Sequence, residues 1–143
     1  MKIERSTGEY ILGNQKLGRD LNEREFLRSA LGLAAKKIPA GSRNYYEIWQ
    51  QVDPELEVGI TVGFQTWGAV GTLKAGMRSA PWSKDMEEDI KRLHDLWLQE
   101  QLGNLPYQFA WGKALSTFEP HWYSANIVID YTRPSQHFKT VDQ

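Results

Sequence analysis

The sequence predicts one α+β domain spanning residues 1–143, with an antiparallel sheet of about six or seven strands and two helices packed on one of its faces. Three features predict it. LEVGITVGF, residues 56–64, alternates apolar and small or polar side chains, as a strand buried on one face does. SKDMEEDIKRLHDLWLQEQLG, residues 83–103, has the rhythm and the end signals of an amphipathic helix. The elements follow the order ββ-α-βββ-α-ββ, in which runs of strands are broken by single helices.

The chain opens with a hairpin or small meander. Thr7-Gly8 and Gly13-Asn14 are turn signals, and Ile3, Tyr10, Leu12 and Leu17 are available for burial. A short helix follows in DLNEREFLRSALG. Asn22 is its predicted N-cap, Glu25 can reach back to Asn22, Leu21 can staple onto Phe26, and Gly32 is expected to end it.

KKIPAGSRN reads as turn-rich, and YYEIWQQV as the next strand. In 56–64, Leu56, Val58, Ile60, Val62 and Phe64 form the face expected in the core. A parallel strand buried on both faces would not alternate, so the pairing is antiparallel. Gln65-Thr66-Trp67-Gly68 reads as a turn into AVGTLKAGM, where Gly71 and Gly76 mark a bulge or a close approach to the sheet.

In the long helix, Ser83 is the expected N-cap. Asp85, Glu87, Glu88 and Asp89 sit at the positive end of the dipole, and Gly103 closes the helix. Met86, Ile90, Leu93 and Trp97 are expected to be the buried stripe, with Glu87–Lys91 and Glu88–Arg92 pairs on the opposite side. Strands over YQFAWGKALSTF and WYSANIVIDY complete the domain around a turn at Glu119-Pro120-His121, the second burying Tyr123, Ala125, Ile127, Ile129 and Tyr131. Residues 133–143 have no period and are expected to be a loose tail.

Composition limits the functions available. The absence of cysteine excludes disulfides, a thiolate nucleophile and cysteine-ligated zinc. MKIERSTGEY lacks an apolar run, and no apolar stretch approaches the ~20 residues of a membrane helix, so a cytoplasmic protein is expected. The net charge of −1 argues against nucleic acid as a partner. The charge is unevenly spread: residues 44–103 hold five Lys/Arg against ten Asp/Glu, a surface suited to a basic partner.

Chemical motifs are absent. His94 and Asp95 are adjacent on a helix, where neighbours do not face each other, so they are not a dyad; His94 is expected at the border of the buried stripe. His121 and His137 are isolated, and no HxH, HxxxH or HExxH spacing occurs, so neither a metal nor a cofactor is expected. No GxSxG, P-loop or GxGxxG pattern is present.

The six tryptophans stand out. Trp97 and Trp111 read as core, whereas Trp49, Trp67, Trp82 and Trp122 are candidates for exposure, which is costly unless a partner covers them. GEYILGNQKL, the capped EFLRS helix, KRLHDLWLQEQLG, PYQFAWGKALSTFEP and SANIVIDY together resemble the small bacterial immunity proteins found beside polymorphic toxins. His94, Asp95, Trp97, Leu98, Leu102, Gly103, Pro106, Tyr107, Trp111 and Gly112 match that pattern, while residues 43–77 lie outside it.

The resemblance implies a non-enzymatic cytoplasmic antitoxin that binds a cognate toxin domain. The expected contacts are the acidic Asp53, Glu55, Glu57, Asp85, Glu87, Glu88 and Asp89, with Trp49, Trp67, Trp82 and Trp122 as apolar anchors. Two other readings compete. A small-molecule or glycan-binding domain would use tryptophans as stacking platforms, and a hydrolase would place His94 or His121 in a pocket beside a carboxylate. An open sheet also leaves an unpaired edge through which a homodimer could form.

Overall fold

A computed structural model describes residues 1–40, 43–54, 56–64, 70–79, 84–119 and 124–132. The α+β prediction holds: there is a three-stranded antiparallel sheet, β1(Lys2–Ile3)-β2(Tyr10–Leu12)-β3(Gln15–Leu17), and a seven-stranded antiparallel one. The larger sheet comprises β4(Lys36–Ala40), β5(Arg43–Asp53), β6(Leu56–Phe64), β7(Val70–Ser79), β8(Gln108–Phe109), β9(Gly112–Glu119) and β10(Ser124–Tyr131), in spatial order β4-β5-β6-β7-β10-β9-β8. The helices are α1(Glu23–Arg28), α2(Ala30–Ala34) and α3(Glu87–Leu102).

The capping box forms as predicted: Asn22 Oδ1 accepts the Glu25 N–H at 2.8 Å and Glu25 Oε1 accepts the Asn22 N–H at 3.4 Å. The helix does not run on to Gly32, however. Ser29 Oγ donates to the Phe26 carbonyl at 2.6 Å and accepts the Gly32 N–H at 3.1 Å, ending α1 and starting α2 with one side chain. Gly32 lies inside α2, directly over the Phe26 carbonyl, where a Cβ has no room.

The segment read as turn-rich contains β4, which pairs with β5 from Lys36↔Glu47 to Ala40↔Arg43. β4 is an edge strand, the place where a proline that cannot donate to a ladder is tolerated, and Lys36, Lys37 and Pro39 discourage further pairing there. YQFAWGKALSTF is likewise two strands, β8 and β9, joined at Ala110 and Trp111.

One face of the large sheet meets the helices and the small sheet. Val58, Ile60, Val62, Phe64, Leu73, Ala75, Ala114, Ile127 and Ile129 share this core with Tyr10, Leu17, Phe26, Leu98 and Leu102. The predicted inward faces of β6 and β10 are therefore correct at every described position. Trp111 and Trp97 also belong here: Trp111 is buried, stacks on Phe109 at 5.0 Å and donates to the Arg5 carbonyl, and Trp97 packs beside Tyr10.

In α3 the buried stripe is rotated from the predicted one. Glu87, Ile90, His94, Leu98 and Leu102 face inward, whereas Leu93 is 55% exposed. The Glu87–Lys91 and Glu88–Arg92 pairs are replaced by Lys91–Asp95 at 2.7 Å and Arg92–Asp89. Gly103 closes the helix with φ +88, as predicted, and Met86 holds the N-cap position without a side-chain bond. The predicted cap Ser83, the turns at 65–68 and 120–121, Tyr123 and the tail 133–143 lie outside the described residues. Among the described residues no helix is long and apolar enough to cross a membrane.

Candidate binding surface

The opposite face of the seven-stranded sheet is packed against none of the described elements. Strand register assigns its rows. One runs Ile38–Tyr45–Gly63–Thr72–Asp130–Lys113, the next Lys36–Glu47–Thr61–Lys74–Val128–Leu115, and a third begins Trp49–Gly59–Gly76. In two of them an aromatic side chain lies on its glycine partner. The Trp49 ring covers Gly59 and the Tyr45 ring covers Gly63, each so closely that a Cβ would meet the ring at about 2.5 Å. Glycine weakens a strand by leaving a hole in the surface, and a cross-strand aromatic fills it. Trp49 nonetheless remains 43% exposed.

Two depressions share Thr61 and Lys74 on this face. One, about 360 Å³, is framed by Ile38, Tyr45 and Thr72. The other, about 190 Å³, is lined on this face by Glu47, Trp49, Gly59, Gly76 and Asn126.

The second depression reaches through the sheet. The β7–β10 register ends at Ala75↔Ile127, so the strands no longer bond beyond it. Two side chains of α3 take over the backbone groups left there. His94 Nε2 accepts the Met77 N–H at 3.1 Å, and Glu87 Oε1 accepts the Ala125 N–H at 3.0 Å. Met77, Glu87 and Ala125 line the bottom of the depression. A buried N–H without an acceptor is costly, which accounts for polar residues at two core positions of α3.

His94 is fully buried, not at the stripe border. Burial pushes its pKa down to about 4, against the opposing pull of Glu87 and Asp95, so the ring is neutral at pH 7. Because Nε2 accepts, Nδ1 carries the proton, and among the described residues it has no hydrogen-bond partner. The ring is a structural acceptor, and its basic nitrogen is engaged by the backbone.

The structure separates the sequence-predicted contacts. Trp49 and Glu57 lie on the open face. Asp85, Glu88 and Asp89 are exposed but belong to the helical layer on the other side, and Glu87, 4% exposed, is inside. Asp53 ends β5, while Glu55, Trp67, Trp82, Trp122, His121 and His137 lie outside the described residues. Sequence reasoning missed Tyr45, Glu47, Thr61, Lys74 and Asn126. Their signal was Gly59 and Gly63 of β6, two glycines on one strand face that a cross-strand side chain lies over.

Among the described residues no group of three or more His, Asp or Glu side chains could hold a metal ion. Comparison of the chain with protein families, curated proteins and solved structures returns no match.

Proposed function

We propose that this chain is a non-enzymatic binding protein of the immunity type, which neutralises a cognate toxin domain by receiving it on the open face of the seven-stranded sheet. The observation that carries this reading is Trp49. A large apolar ring, 43% exposed, is held in one place by Gly59 beneath it on a face that no described element covers. A pre-positioned aromatic surrounded by polar groups has the character of a hot spot, since little side-chain entropy remains to be lost on binding.

The resemblance to immunity proteins supplies the kind of partner, and the acidic excess of residues 44–103 supplies its charge: a basic domain. Asp85, Glu88 and Asp89, on the far layer, act in this account by long-range steering of the encounter, which raises association rates more than affinity. The small-molecule reading is favoured by the paired depressions around Thr61 and Lys74, of which the larger, about 360 Å³, is at the low end for a ligand site.

Co-purification of the tagged chain from its native host, at low and high salt, tests the reading. A stoichiometric protein partner whose capture weakens with salt is expected. Recovery of the chain without a protein partner, with a co-eluting metabolite instead, would transfer the face to the small-molecule reading.

A further inference from the structure

The larger depression on the open face, about 360 Å³, crosses β4 to β7 and is lined by Ile38, Tyr45, Thr61, Thr72 and Lys74. Register builds it: Ile38, Tyr45, Gly63 and Thr72 stand in one cross-strand row, Thr61 and Lys74 in the next. The ring of Tyr45 starts on β5 and ends over β6, with Cζ, the carbon that carries the hydroxyl, 3.2 Å from where a Cβ of Gly63 would stand. The polar groups gathered here are donors. Among the described residues, the Tyr45 and Thr61 hydroxyls and the Lys74 ammonium have no hydrogen-bond or ion-pair partner. The Thr72 hydroxyl donates to Asp130 Oδ1 at 3.1 Å, so that carboxylate is turned to its own neighbour. No described acidic residue lines this depression, whereas Glu47 and Glu87 line the smaller one.

We infer that this depression is a binding site for a small monocarboxylate, whose oxygens are taken by the Lys74 ammonium and the Tyr45 and Thr61 hydroxyls. Its apolar body lies against Ile38 and the Tyr45 ring. A carboxylate only accepts hydrogen bonds, so a set of donors without a lining acid is its complement. Hydrogen bonds between ionised groups are roughly twice as strong as neutral ones, which makes Lys74 the principal contact. One ammonium balances one negative charge, so a monoanion fits better than a phosphate dianion. The volume is at the low end of the ~300–1,000 Å³ of ligand sites and suits an acid the size of benzoate. The same chemistry is met by a free acid or by a carboxylate that a partner protein presents. The site stands on its own geometry and does not depend on the toxin reading.

Titration of the full chain with sodium benzoate at constant ionic strength, followed by the backbone N–H signals of Thr61 and Thr72 in ¹⁵N-correlated NMR spectra, is the experiment. Saturable shifts in the millimolar range are expected, with benzamide, the neutral isostere, binding at least about tenfold more weakly. Lys74 is exposed, so Lys74→Met keeps the fold and the stem while removing the charge, and is expected to lose at least about tenfold in benzoate affinity. Tyr45→Phe keeps a ring over Gly63 and is expected to lose about threefold. Lys113→Met removes the same charge two strands away on the same face and is expected to change affinity by less than about twofold. Equal binding of benzamide, unchanged benzoate binding in Lys74→Met, or a loss in Lys113→Met equal to that in Lys74→Met overturns the inference. A co-purified partner released by saturating benzoate assigns the carboxylate to that partner, and one retained assigns it to a free acid. Benzoate binding without any protein partner in co-purification leaves the site standing and removes the toxin reading; a captured partner without benzoate binding does the reverse.

Discussion

The indole of Trp49 covers Gly59, its direct cross-strand partner, so closely that the strand has no room for a Cβ at that position. Alanine at 59 is a better strand former than glycine, and its Cβ would meet only outer atoms of the Trp49 ring, a clash that a shift of that side chain relieves. Gly59→Ala is therefore expected to change stability by less than about 1 kcal/mol while releasing Trp49 from its bed. Urea denaturation measures the first effect. Acrylamide quenching, read as the difference between this variant and one also carrying Trp49→Phe, measures the second, and quenching no greater than in wild type would contradict it.

Gly32 predicts the opposite of helix propensity. In an exposed helix, glycine to alanine stabilises by about 1 kcal/mol. Here the new methyl meets the Phe26 carbonyl, which belongs to backbone and cannot swing aside. Gly32→Ala is expected to destabilise by about 2 kcal/mol or more, seen as a lower urea midpoint at unchanged m-value.

Glu87 separates acceptor from charge. Glu87→Ala leaves the Ala125 N–H buried without a partner and is expected to cost about 1–3 kcal/mol. Glu87→Gln retains the acceptor and is expected to recover most of that loss. Equal stability of the two variants would mean that the bond to Ala125 contributes little.

His94 makes stability depend on pH. Its pKa is about 4 in the folded chain, lowered mainly by burial, and ~6.5 when unfolded. Between these values the unfolded chain binds more protons, so stability from the neutral ring is full above pH ~6.5 and is lost as pH falls toward 4. At pH 5 the loss relative to pH 7 is about 2 kcal/mol. His94→Gln, which keeps an acceptor for Met77 and cannot titrate, is expected to flatten this part of the profile. Parallel profiles for the two proteins would contradict the assignment.

These residues also mark what the sequence discloses. Alternation in β6 and β10, the Asn22–Glu25 capping box and Gly103 as the end of α3 were legible because each depends on neighbours a few positions away. The turn of α3 about its axis was not. Hydrophobic rhythm assigns Leu93 to the core, but the parting of β7 and β10 requires acceptors there, and only Glu87 and His94 supply them. β4 was hidden by Pro39, which would disqualify a central strand and is admissible at an edge. Trp49 was visible as a candidate anchor. Its companions Glu47, Thr61 and Lys74 were not, because they form a row only across three strands.

Under the proposed function the open sheet face makes the contact and the acidic helix only steers. Binding kinetics with the co-purified partner separate the two. Trp49→Ala is expected to speed dissociation by at least about tenfold at little change in association, as loss of a central anchor does. Reversing Asp85, Glu88 and Asp89 together to lysine is expected to slow association and flatten its salt dependence, with dissociation within about threefold of wild type. Dissociation unchanged by Trp49→Ala and accelerated by the helix reversal would place the contact on α3 and contradict the account.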